Sequence, residues 1–246
     1  MKKKICILIC LLLFLLSGFL LFCAGIRYRA GQAEYRVICS IAGMEEGQAP
    51  PNHQENLEKE NLMTAMNPDY RAWLKIPDTA VSYPIVRERE DGYYLNHTFK
   101  GNENPCGSIF MDANCEFLST GNTIVYGHNM KDRSMFGSLK DYCREEFFKE
   151  HPWIQVLADG NEYTFRVFSC IVIEDGDSFG YTYEFPGMEE KINFLEAAKR
   201  SSVVSSDYMP EGADTILTLS TCHGIGGTGR LLVLAAMPYE EGRKES

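Results

Sequence analysis

Cys222 closes the run Thr215 to Thr221, which holds only β-branched residues, Leu and Ser, and therefore reads as a strand buried on at least one face. Four glycines follow between Gly224 and Gly229, so the backbone can turn sharply there. Arg230 then opens a second apolar run, Leu231 to Met237. If that run is the neighbouring strand, the loop returns a permanent positive charge to the sheet edge where the thiol sits. A thiol needs such a charge, or a base, because the thiolate is the nucleophile.

Five histidines are available as bases. His53 in a linker and His151 at a charged helix end read as solvated, and His97 lies in a polar segment without local context. His223 adjoins Cys222, but consecutive strand residues point to opposite faces, so it should face away. His128 follows the β-branched run Asn122 to Tyr126 and Gly127, and so stands at a strand mouth as Cys222 does. Two strand ends can converge at one rim of a barrel. Cys222, His128 and Arg230 then supply a nucleophile, a proton carrier and a fixed cation for a developing oxyanion. Taken alone, His128 reads sooner as a strand-end residue without chemistry, and Cys222 could be an inert buried thiol.

The elements that must position these residues are mostly short strands. Apolar runs occur at Trp73 to Ile76, Thr79 to Val86, Ser108 to Asp112, Asn122 to Tyr126, Trp153 to Leu157 and Tyr163 to Ile173, before the two already named. Pro77-Asp78 marks a tight connection between the first two. Helical spacing appears at Gln54 to Met66, at Ser134 to Tyr142 and Arg144 to His151, and most clearly between Pro186 and Arg200, where Met188, Ile192, Leu195 and Ala198 form one apolar face. Asn67-Pro68 ends the first of these and can cap a short turn. Eight strands against one substantial late helix predict a mainly β chain forming a closed or nearly closed barrel.

The chain has 246 residues, enough for one sizeable core, and a formal net charge of -10, which disfavours a nucleic-acid partner. Residues 5–26 contain no charge, and about 20 apolar residues span ~30 Å as a helix. With Lys2, Lys3 and Lys4 before it, this stretch reads as a single uncleaved membrane span over a short cytoplasmic end, residues 1–4, with the globular part outside. Residues 27–53, small, polar and acidic with a break at Ala49-Pro50-Pro51, read as a linker. The folded part is expected over 54–238, with a helix at 54–66 and the barrel over 67–238, and 239–246 as a polar tail.

Six of nine cysteines lie outside the apolar stretch, and Cys106 with Cys115 is a conceivable pair, but the spacing is not that of a disulfide scaffold. The sequence contains no CxxC or HExxH, and the carboxylates in Glu174-Asp175-Gly176-Asp177 read as a solvated loop sooner than a calcium site.

At this point the motifs carry a resemblance. Tyr126-Gly127-His128, Met135-Phe136 and Thr218-Leu219-Ser220-Thr221-Cys222 with Arg230 resemble the sortase family of Gram-positive cell-surface transpeptidases. Upstream, Trp73 to Thr79, Tyr83-Pro84-Ile85-Val86, Tyr93 to His97 and Gly107 to Asp112 resemble its class B, and the likeness covers Asn67 to Pro238. Pro77 departs from the family, where an acidic or polar residue often stands, at a turn rather than at the site.

The resemblance implies an eight-stranded barrel with amino-terminal helices and one long helix before the cysteine strand. It implies that Cys222 attacks the carbonyl of a sorting signal on a secreted protein to form a thioacyl enzyme. It implies that His128 exchanges protons with the departing and incoming amines, and that Arg230 holds the substrate backbone and oxyanion. The acceptor would be an amine of peptidoglycan or of a pilin, and no cofactor is needed.

Alternation along the cysteine strand puts Thr218 and Ser220 on the face of Cys222 as groove candidates, with Leu217 and Leu219 toward the core. Leu95 and Tyr126 join them through the resemblance. Two alternatives remain: a catalytically weak peptide-binding module, and a cysteine peptidase that transfers the acyl group to water.

Overall fold

Eight strands close into a barrel in the order β1-β2-β3-β4-β7-β8-β6-β5. In this computed structural model, the described residues are 2–44, 52–89, 92–115, 117–118, 121–174, 176–212, 214–223 and 228–238. The strands are β1 Tyr70–Lys75, β2 Ser82–Arg87, β3 Ile109–Met111, β4 Asn122–Tyr126, β5 Trp153–Ala158, β6 Asn161–Glu174, β7 Thr215–His223 and β8 Gly229–Met237. All eight coincide with the apolar runs of the sequence within a few residues at their ends. The turn at Pro77-Asp78 closes with Asp78 at a φ of 58° and with the Thr79 hydroxyl donating to the Ile76 carbonyl.

Two pairings matter for function. Most neighbours are antiparallel, but β4 runs parallel to β7, with Asn122 opposite Ile216 and Tyr126 opposite Ser220. Both strands therefore end at the same rim. Strand β8 then returns antiparallel to β7, with Cys222 opposite Arg230.

Two apolar layers hold these strands. One fills the barrel and includes Ile85, Val125, Phe165, Leu217 and Val233. The other lies between the outer wall of β6, β7 and β8 and the late helix, and joins Phe168, Leu232 and Leu234 to Phe194 and Leu195. Burial of a large apolar side chain contributes about 1.5–3 kcal/mol.

The helices are α1 Lys2–Ile41, α2 His53–Met66, α3 Glu145–Glu150 and α4 Met188–Arg200, with a 3-10 turn at Leu139–Cys143. Helix α2 opens on a capping box in which Asn52 and Glu55 satisfy each other's backbone N–H groups. At its end the Asn67 side chain accepts from the Asp69 N–H and turns the chain into β1. The segment Ser134 to Tyr142, expected as a helix, is turns and 3-10 structure; only Glu145–Glu150 of the next candidate is α-helical.

The inward face of α4 also differs from expectation. Phe194, Leu195 and Ala198 are buried, whereas Met188 and Ile192 are exposed, because Phe194 stacks on Phe179 and tilts against Phe185 of the preceding loop.

Part of the linker expectation is corrected. Residues 27–41 continue α1 without a break, and Gly31, Tyr35, Ile38 and, just past the helix, Ala42 are buried on the barrel. Their spacing of three or four residues is a helical stripe, masked in the sequence by the charges between them. The break at Ala49-Pro50-Pro51, the glycines of residues 224–227, Asp175 and the tail 239–246 lie outside the described residues.

Candidate active site

Strand register brings the three candidate residues together. Tyr126 pairs with Ser220 in the parallel β4–β7 ladder, and two residues further along each chain lie His128 and Cys222. Across the antiparallel β7–β8 ladder Cys222 faces Arg230, whose Nη1 stands 3.6 Å from Sγ. Side-chain ties fasten the two strand ends: Thr221 Oγ1 donates to the Gly127 carbonyl at 2.7 Å, and Asn129 Nδ2 donates to the Cys222 carbonyl at 2.8 Å. Gly127 is required by space, since a Cβ there would stand 2.5 Å from Ile109 Cδ1 and 2.7 Å from the Phe136 ring. The strand ends at Tyr126, so His128 lies just beyond the sheet.

The His128 imidazole donates from Nε2 to the Leu95 carbonyl at 2.7 Å, so its hydrogen bond goes to the main chain and not to the thiol. Around the three residues lies a cleft of about 520 Å³, into which Leu95, Tyr126 and Ser220 also face. Leu95 is 42% exposed, an apolar side chain available to a ligand. Ser220 Oγ is 2.9 Å from the Tyr181 hydroxyl, and the Tyr126 ring stacks between Phe110 and Tyr181. Burial, then the Asp112 carboxylate, raise the Tyr126 phenol above its ordinary pKa, so it remains a neutral donor to Asp112.

Thr218 does not reach the cleft. It shares the parity of Ser220 but is fully buried, and its hydroxyl donates to Asn122 Oδ1 at 2.9 Å. Asn122 in turn donates to the carbonyls of Gly180 and Thr182, so the loop leading to α4 covers this part of the strand.

Sequence reasoning did not single out Glu88 and Asp112, which line the cleft, or Asn129 and Tyr181, which reach it by hydrogen bonds to Cys222 and Ser220. Asn129 alone carried a signal, following Gly-His at a strand mouth.

The other histidines have structural partners. His53 and His151 are not simply solvated: His53 opens α2 and its Nδ1 lies 3.1 Å from the Gly160 carbonyl, while His151 stacks on Phe147 and donates to its carbonyl. His97 stacks on Tyr93 and donates to the Tyr93 carbonyl at 2.8 Å. His223 pairs with Gly229 at the end of β7.

Cys106 and Cys115 are separate buried thiols with different neighbours. Burial pushes Cys106 up to about 11, with the Glu34 charge adding to it, and burial also raises Cys115, so both stay protonated at neutral pH. Cys143 and Cys170 approach each other with sulfurs 3.9 Å apart. Cys222 is the cysteine that lines the cleft and has a guanidinium beside it. Asp177 accepts from the Phe179 N–H within its own loop.

A sortase domain model matches residues 74–238. The chain is 39% identical to sortase B of Listeria monocytogenes over 160 residues, 64% of each chain, so the match spans just under two thirds of that relative's length. It is 33% identical to sortase B of Staphylococcus aureus over 187 residues, 74% of this chain and 76% of that one. The solved Staphylococcus aureus sortase B–substrate complex superposes with a TM-score of 0.78 at 30% identity, covering 86% of this chain and 98% of that one.

Proposed function

This chain belongs to the sortase family of cysteine transpeptidases, in its class B, and from that premise we propose that it cleaves a carboxy-terminal sorting signal on secreted proteins and passes the acyl group to an amine. The observation that carries the reading is the register itself, which sets Cys222 opposite Arg230 and at the same rim as His128 around one cleft.

The Cys222 thiolate attacks the scissile carbonyl, and Arg230, charged at any working pH, donates to the oxyanion that forms. Collapse of that intermediate breaks the C–N bond, and His128 gives a proton to the departing amine, leaving a thioester on Sγ. An incoming amine attacks the thioester and loses a proton to His128, which forms the new amide bond and releases the Cys222 thiolate. Leu95, Tyr126 and Ser220 line the peptide path. The acceptor is an amine of peptidoglycan or of a pilin, and no cofactor takes part.

The apolar start of α1 is the membrane anchor in this reading. Its side chains are uncovered, with Phe14 77% exposed, and it is long and apolar enough to span a bilayer. Residues 1–4 lie on the cytoplasmic side, 5–26 in the membrane, and the catalytic domain, 54–238, outside with the tail 239–246.

The test uses the full chain in detergent micelles with a panel of sorting-signal peptides, with and without an amine such as triglycine or diaminopimelate. A new amide between peptide and acceptor, seen by mass spectrometry, is the expected product. Hydrolysis alone, even with acceptor present, makes the protein a peptidase, and binding without cleavage makes it a peptide-binding module; either result overturns the proposal.

A further inference from the structure

Past the apolar stretch, α1 lies on the barrel and its polar side chains reach two segments, residues 99–108 and the loop 132–134. To the first, Asn104 Nδ2 donates to the Arg27 carbonyl, and Glu34 accepts from the Lys100 N–H and from Asn102 Nδ2. The Tyr35 hydroxyl donates to the Gly107 carbonyl at 2.7 Å and accepts from the Phe99 N–H at 3.1 Å. To the second, Gln32 bonds Asp132, and the Tyr28 hydroxyl lies 3.3 Å from Ser134 Oγ.

Both segments support His128. Gly107, at a φ of 57°, backs directly onto the carbonyl that receives the imidazole N–H: a Cβ on Gly107 would stand 2.6 Å from the oxygens of Leu95 and Tyr94. The next residue's N–H, Ser108, donates to the Tyr94 carbonyl at 2.9 Å. Tyr35 therefore fixes the residue against which the Leu95 carbonyl rests.

On the other side, the chain after His128 folds back so that the Phe136 N–H donates to the His128 carbonyl and Asn129 bridges Met135. The Met135 N–H donates to the Tyr83 hydroxyl at 2.9 Å, and the Tyr83 ring meets Tyr35 edge-on at 5.5 Å. The tip of this fold is the part held by Gln32 and Tyr28.

We propose that Tyr35, with Gln32 and Tyr28, is a positioning residue for His128, so that the helix carrying the membrane anchor also sets the orientation of the catalytic imidazole. This rests on the reading of His128 as the proton carrier. Tyr35 is suited to the task because it is buried, and burial keeps its phenol protonated and able to donate. Lifting α1 from the barrel releases both supports at once, which makes activity depend on how the helix emerges from the bilayer.

The test uses the full chain in detergent micelles, labelled with 15N-histidine, at a pH where the imidazole is neutral, because the bond to Leu95 then requires the Nε2–H tautomer and nitrogen shifts report it directly. In the wild type His128 should show that tautomer. Tyr35→Phe keeps the ring and removes the hydroxyl; the expected result is a mixed tautomer for His128, unchanged signals for His53 and His151, and a kcat about tenfold lower at constant KM on the best-cleaved peptide, part of the ~10²–10⁴ that proton transfer contributes.

A Gln32→Ala/Tyr28→Phe double variant, altered away from the core, should move both readouts in the same direction and decides the matter if Tyr35→Phe does not fold. Folded variants with a lowered Tm but wild-type tautomer and kcat would overturn the proposal. A tautomer change in a protein that cleaves no peptide would leave the brace standing and overturn the catalytic reading instead.

Discussion

A guanidinium 3.6 Å from Sγ of Cys222 is close enough to donate to the oxyanion that forms on a carbonyl oxygen when the sulfur attacks it. If Arg230 has that task, Arg230→Ala should lower kcat/KM by about 10²–10³, the usual loss for one oxyanion donor. Arg230→Lys should recover only a small part, because an ammonium cannot reproduce the planar fork. Steady-state kinetics on a cleaved peptide checks this, and a lysine variant at wild-type rate would mean that charge alone suffices. The meeting of Cys222, His128 and Arg230 at one cleft was legible because each sits beside a strand-like run, where sequence shows both the strand and its end. Thr218 was misplaced for a related reason. Parity along a strand says which face a residue takes but not what lies over it, and here the loop bonded through Asn122 covers it.

The elements were legible where their periodicity was strong, as in the eight strands and the late helix. The inward face of α4 was read only in part: Leu195 and Ala198 are buried as expected, but Phe194, which packs on Phe179 and Phe185, takes the place of Met188 and Ile192, and helical spacing cannot reveal those contacts. The juxtamembrane stripe of α1 was hidden because its buried residues alternate with charges that face away from the barrel.

Helix α2 offers a test at this scale. Its Glu60 accepts from the Gly160 N–H at 2.5 Å while buried against the β5–β6 turn. Burial raises its pKa above the ordinary 4.5, with the Asp159 charge adding to the rise and the Gly160 hydrogen bond opposing it. The folded state thus binds a proton more readily than the unfolded chain. The stability from protonated Glu60 is present below about pH 4.5 and is lost as pH rises through the raised folded value. Thermal melts across that window should show a falling contribution in the wild type that Glu60→Gln removes; parallel curves would contradict it.

In the whole molecule, α1 joins an exposed apolar segment to a domain-bound segment without a break, and the domain end touches both supports of His128. The barrel order was foreseeable as a closed sheet but not as a particular pairing. The parallel β4–β7 contact joins strands nearly a hundred residues apart, and no local pattern marks it. Yet that pairing gives the site its geometry, since an antiparallel arrangement would send His128 and Cys222 to opposite rims.

The central claim is that this geometry makes Cys222 an acyl carrier, and intact-mass spectrometry of the full chain tests it most directly. After brief exposure to a cleaved peptide without acceptor, the account predicts a mass increase equal to the amino-terminal fragment less one water, located on Cys222, removed by hydroxylamine and absent from Cys222→Ala. Undiminished cleavage by Cys222→Ala would contradict it.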